Sequence, residues 1–168
     1  MSHRSYFPTL FEFAMFASMA TAGCHLVVGA VDAQDNKSFK YVRISATAAK
    51  PADNGKQVVT VVLDIDKACF LFANPVGNED LEDFATKLTI KSAGKAVSAK
   101  VTYHEGTTVE EKLTGKYKVY KEKVTIVAVV DRTPGDDLRL EADIRMQGVH
   151  MSTAIACLLP STVRLMVR

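Results

Sequence analysis

Leu138-Arg139-Leu140-Glu141-Ala142-Asp143-Ile144-Arg145-Met146 places an apolar side chain at every second position, with charged residues between them. A period of two puts all the apolar side chains on one face of an extended chain, as in a β-strand with one face on a core and the other in solvent. The same pattern recurs on both sides. Residues 124–130 and 57–65 alternate through valines into Leu63 and Ile65, and residues 39–45, 86–91, 97–103, 117–120 and 162–167 are shorter runs of the same kind. Turn chemistry separates them: Pro51-Ala52-Asp53-Asn54-Gly55, Ser92-Ala93-Gly94-Lys95 and Thr133-Pro134-Gly135-Asp136. Only Glu79 to Phe84, with Leu81 and Phe84 on one side, reads as a helical turn. About eight short strands at this spacing predict an all-β, immunoglobulin-like β-sandwich, with a small barrel as the competing architecture.

The 168 residues are enough for one domain and a short extension. Hydrophobic residues make up 48% and charged residues 24%, an ordinary balance for a packed core. A formal net charge of +2, with lysines interspersed among acids as in Lys121-Glu122-Lys123, gives no basic surface for nucleic acid. There is no internal repeat, phosphate-binding glycine loop, nucleophile elbow or calcium loop. No His/Cys group has metal-ligand spacing, so neither a metal nor a small-molecule cofactor is expected.

The N-terminus reads as an export segment. His3 and Arg4 precede residues 13–30, which hold no Asp, Glu, Lys or Arg. Val31-Asp32-Ala33 then fits the small-x-small pattern of a signal-peptidase site. Cleavage after Ala33 gives a signal peptide over 1–33 and a folded domain over 34–168, although Glu12 is awkward in such a segment. It takes one base and two acids from the 21 basic and 19 acidic residues, leaving a net charge of +3. Two alternatives stay open. The apolar stretch is long enough for a single membrane anchor, and Thr21-Ala22-Gly23-Cys24 resembles a lipoprotein box with Cys24 as the lipid-bearing residue. All three place the domain in the periplasm, outside the cell or on the envelope, where disulfides persist.

Three ordered stretches carry a family resemblance. They are Ala68-Cys69-Phe70-Leu71-Phe72-Ala73-Asn74-Pro75; Gly115-Lys116-Tyr117-Lys118-Val119-Tyr120; and Gln147-Gly148-Val149 followed by Cys157-Leu158-Leu159-Pro160. Together they resemble the N-terminal periplasmic domain of the thiol-disulfide interchange protein DsbD. That resemblance implies a β-sandwich that passes electrons to exported partners by cycling two cysteines between dithiol and disulfide. Its partners would be thioredoxin-like proteins and a membrane DsbD-like reductase. The departures are chemical. Val149 stands where the family has its first active cysteine, Met146 where it has tyrosine, and Leu159 where it has the first proline of a pair. The segment 111–115 matches the family's cap loop, which makes Leu113 the shielding residue, and Tyr120 fills the family's tyrosine position.

Cys157 is therefore the candidate for thiol chemistry, because only an ionised sulfur attacks a disulfide. The plainer account makes it a small buried hydrophobe on a hairpin strand. Cys69 is either core packing or a new disulfide partner for Cys157. His150 is either a solvated loop residue or an imidazolium that lowers the Cys157 pKa. A non-catalytic protein-binding domain of the envelope is the alternative to thiol-disulfide interchange.

Overall fold

The computed structural model describes residues 37–132, 139–151 and 155–167. The signal segment, Cys24, the Thr133–Asp136 turn and Leu138 lie outside the described residues. So do residues 13–30; among the described residues no helix is long and apolar enough to cross a membrane.

The described chain is almost entirely antiparallel β, in three sheets that do not close into a barrel. The first sheet pairs β1 (Val42–Ala48), β2 (Lys56–Ile65), β9 (Lys123–Asp131) and β6 (Ala99–Thr102), in that order. The second pairs β13 (Ser161–Met166), β10 (Leu140–Met146), β4 (Lys87–Ser92) and β5 (Lys95–Ala96). The third runs β12 (Ile155–Cys157), β11 (Gly148–Met151), β3 (Cys69–Phe72), β8 (Gly115–Tyr120), β7 (Thr107–Glu111).

The alternation that marked β2, β9 and β10 in the sequence sets their burial. Val59, Val61, Leu63 and Ile65 of β2 point the same way as Val124, Ile126, Ala128 and Val130 of β9, and all are buried in the main core. Leu140, Ala142, Ile144 and Met146 of β10 join them from the second sheet. Each such Val, Leu, Ile or Met side chain contributes roughly 1.5–3 kcal/mol when taken fully out of water, which makes this core the dominant favourable term of the fold.

The strand expectations need four corrections. Residues 39–41 are not extended: Ser38–Tyr41 is a 3₁₀ turn, and β1 begins at Val42. Ser38 explains the turn, because its buried hydroxyl and its N–H both bond to the Leu159 carbonyl (3.0 and 3.2 Å) and pull the chain out of line. The expected strand over 97–103 is split. Its start pairs with β4 across the Ala93-Gly94 turn, where both residues have positive φ (48° and 76°) as a two-residue hairpin demands. Its remainder crosses to β9. The segment 111–115 is the end of hairpin β7–β8, with Glu111 opposite Gly115. His150 is not in a loop: it lies on β11, which pairs with β12. The helical turn at Glu79–Phe84 is present as a 3₁₀ turn, capped by the Asn78 side chain accepting from Asp80 N at 3.0 Å.

On the outer face of β10, Asp143 sits between Arg164 of β13 and Lys91 of β4. Arg164 Nε and an Nη donate to its two carboxylate oxygens at 2.8 and 3.2 Å, and Lys91 Nζ lies at 2.6 Å. The hydrogen bonds from Arg164 hold the Asp143 pKa down at about 2, against the opposing effect of burial and with further help from Lys91. A lowered carboxylate pKa stabilises the fold above the ordinary range near 4, and that stabilisation is lost as pH falls from there towards 2. Arg164 is mostly exposed, so solvent screening reduces the gain to about 1–2 kcal/mol. Asp143→Asn should cost that much in urea denaturation at pH 7, and its deficit should vanish near pH 2.

Candidate functional site

The third sheet is buried on one face by the main core and carries a groove on the other. Strand β3 shows the division. Cys69 and Leu71 point into the main core, whereas Phe70 and Phe72 belong to a second cluster with Val76, Tyr117, Val119 and Val149. Phe72 is the centre of this cluster, with ring centroids 5.9 Å from Phe70, 5.7 Å from Phe84 and 6.0 Å from Tyr117. The cluster does not close. It lines a cavity of about 400 Å³ whose far side is formed by Leu81 and Phe84 and whose rim holds Met151, Ile155 and Cys157.

Cys157 and Val149 are direct cross-strand partners. The Leu158 N–H donates to the Gly148 carbonyl at 2.9 Å, so the neighbouring positions 148 and 158 form the hydrogen-bonded pair. Val149 and Cys157 are thereby the non-hydrogen-bonded pair, the geometry in which opposed Cα atoms approach to about 4.5 Å. Both face the groove, in one row with Phe70. Cys157 is exposed and its thiol is free. The account of it as a buried hydrophobe is therefore overturned: the edge position of β12 leaves its groove face uncovered.

Cys69 is elsewhere. It is buried on the main-core face, 2% exposed. Burial, with a smaller push from the Asp66 charge, raises its thiol pKa to about 11. Its neighbour Phe70 is separated from Cys157 by strand β11, two strand spacings or roughly 10 Å away. A disulfide needs Cα atoms within roughly 4.4–6.8 Å. The two cysteines lie beyond that on opposite faces of the sheet, and both are free. Of the two readings of Cys69, the structure has core packing and not the disulfide.

His150 follows Val149 and so faces the other way. Its register partners are Cys69 and Ala156, and its ring lies against Tyr41 with centroids 4.6 Å apart. It does not share the Cys157 side of the sheet, so the expectation that it tunes that thiol is not met. Tyr120 also lies on the far face. Its hydroxyl accepts from Asn74 N and donates to Asn74 O, each at 3.1 Å, which makes it a pin for the chain after β3 rather than a shield for Cys157. Leu113, at the tip of hairpin β7–β8, is fully exposed and covers nothing. Among the described residues no group of His, Cys, Asp and Glu is placed to hold a metal.

Four residues that pattern reasoning passed over build the site. Tyr117, three residues before Tyr120 and so on the opposite face of β8, is the tyrosine on the groove face. It lines the groove together with Glu111 and Cys157, and its pKa is raised by burial, then by Glu111 and last by Cys157. Asn78 donates to the Thr114 carbonyl at 2.8 Å, tying the Glu79–Phe84 wall to the hairpin tip. Its capping position before an acidic turn was a readable signal. Gln147 lines the cavity. Ser38 accepts from Gly148 N at 3.2 Å while donating to the Leu159 carbonyl, so one hydroxyl ties the two strands β11 and β12 together at one end. No local pattern could reveal a contact across more than a hundred residues.

Neither a family model nor a curated protein matches the chain. Among solved structures it is similar to the reduced DsbD N-terminal domain of Neisseria meningitidis, at 17% identity and a TM-score of 0.52, over 80% of this chain and 91% of that one. A complex between the DsbD and PilB N-terminal domains of the same organism matches at 14% identity and a TM-score of 0.48, over 73% of this chain and 80% of that one. The first likeness establishes a shared fold.

Gly148 is required for the close approach of β11 to β3. A Cβ there would collide with the Phe70 carbonyl and crowd Leu71. Gly148→Ala should lower stability by about 1–3 kcal/mol in chemical denaturation, through forced backbone shifts. The same shift should displace Val149 and change the alkylation rate of Cys157.

Proposed function

We propose that this domain is an exported thiol-disulfide interchange module that works through Cys157 alone. The observation that carries the reading is the pairing of an exposed, free Cys157 with Val149 across two adjacent strands, above an aromatic groove. The shared fold and the three resembling stretches support it. Val149 occupies the place of a lost cysteine, and the cross-strand geometry is that of a disulfide site from which one sulfur is missing.

The loss changes what the module does. A dithiol releases two electrons by closing its own disulfide. With one sulfur, the Cys157 thiolate attacks a partner's disulfide, a mixed disulfide forms, and the partner's leaving sulfur takes up a proton. Resolution comes from a second thiol of the partner, which returns Cys157 to its starting state. The domain thus captures and releases exported thiol proteins, and net electron flow requires a separate dithiol. Thioredoxin-like proteins or a membrane DsbD-like reductase fit that role. The periplasm or the outer face of the envelope, reached by way of the N-terminal segment, is where such exchange proceeds. The second reading, a non-catalytic binding domain, uses the same groove without the sulfur chemistry.

Alkylation at neutral pH separates the two. Cys157 should be modified rapidly and Cys69 only after unfolding; a folded protein in which Cys157 resists the reagent would leave the binding-domain reading. Val149→Cys should form an internal disulfide with Cys157 on mild oxidation, protecting both thiols and adding about 2.5 kcal/mol of stability by closing a short loop. Failure of that pair to close would remove the geometric basis of the proposal.

A further inference from the structure

The groove is apolar within, and Glu111 of β7 is the one charged side chain that lines it. The wall that supplies Leu81 and Phe84 is the turn Glu79–Phe84, which also carries Glu79, Asp80, Glu82 and Asp83 and no base, with Glu79 and Glu82 lining a separate pocket beside Pro75 and Asn78. Glu110, one step along the pleat from Glu111, faces away from the groove with its partner Lys116. The bases nearby are Lys112 and Lys116 on the hairpin and Arg145 beside the turn. Lys116 is paired with Glu110 at 3.7 Å, and Arg145 donates to the Asp83 carbonyl at 2.8 Å. No lysine or arginine lines the cavity. The concentration of acid runs against the positive net charge of the chain.

Ile155 is 79% exposed and Met151 42% exposed, so the apolar surface extends over the rim to Cys157.

We infer that the groove receives a segment of a partner protein in which one bulky apolar side chain, flanked by lysine or arginine, stands beside the sulfur that exchanges with Cys157. The apolar side chain enters among Phe72, Phe84 and Tyr117, and the flanking cations meet Glu111 and the field of the acidic turn beside it. This rests on the thiol-exchange reading for its sulfur step and on the groove alone for its choice of partner. In that step the Cys157 thiolate attacks the partner's disulfide. The new S–S bond forms as the old one breaks, and the departing thiolate takes a proton from water, with no net change in oxidation.

The test uses short peptides in which a cysteine, activated as a thiopyridyl disulfide, has a neighbouring phenylalanine and either two lysines or two glutamates, with a third peptide carrying lysines but alanine for phenylalanine. Release of thiopyridone gives the exchange rate. The lysine–phenylalanine peptide should react roughly tenfold faster than the glutamate peptide at low salt, with the gap closing as salt screens the mouth. It should also outpace the alanine peptide at any salt. Neutralising the groove acid with Glu111→Gln should shrink the lysine preference. Equal rates for all three peptides would overturn the inference and leave thiol exchange standing. The same peptides with serine for cysteine, followed by fluorescence anisotropy, read the groove without the chemistry. The same order of affinity supports the partner assignment even if Cys157 proves inert, and equal affinities overturn it.

Discussion

Strand β3 is buried on both faces, and the site exists because of that. Cys69 and Leu71 lock one face into the main core, while Phe70 and Phe72 form the floor of the groove. A four-residue strand in the middle of a sheet, with β11 on one side and β8 on the other, cannot shift register without moving every one of these side chains to the wrong face. The position of Val149 opposite Cys157 is inherited from this constraint, since β11 takes its register from β3 and β12 takes its register from β11.

The arrangement separates two kinds of cysteine by a single step in the pleat. Cys69, on the inward face, is held as a thiol by burial. Cys157, on the groove face of an edge strand, is left accessible. The same step separates Tyr120, which pins the chain at Asn74, from Tyr117, which stands at the site beside Glu111. It also turns His150 away to Tyr41. Function in this fold is assigned by the parity of a residue as much as by its type.

The walls of the groove are held by polar pins. Ser38 joins Gly148 to Leu159 and so closes the β11–β12 pair. Asn78 joins the acidic turn to the hairpin tip, holding the two sides of the groove mouth at a set separation. Apolar packing supplies most of the stabilisation, and these few directed bonds decide where the packing leaves an opening.

The sequence by itself determined the all-β character, the core strands β2, β9 and β10, the helical turn at Glu79–Phe84 and the resemblance that singled out Cys157. These depend on periodicity, turn chemistry and motif order, which are properties of neighbours along the chain. It did not reveal β3, because Cys-Phe-Leu-Phe has no alternation when both faces are buried. Nor did it define β11 and β12, strands of four and three residues that are too short to carry a pattern. Only the tertiary structure decided that Val149 and Cys157 face each other, that Cys69 and His150 lie on the other side of the sheet, that Leu113 covers nothing, and that Tyr117 rather than Tyr120 stands at the site. Each of these depends on strand pairing between distant segments, and a shift of one residue in any pairing would have reversed the answer.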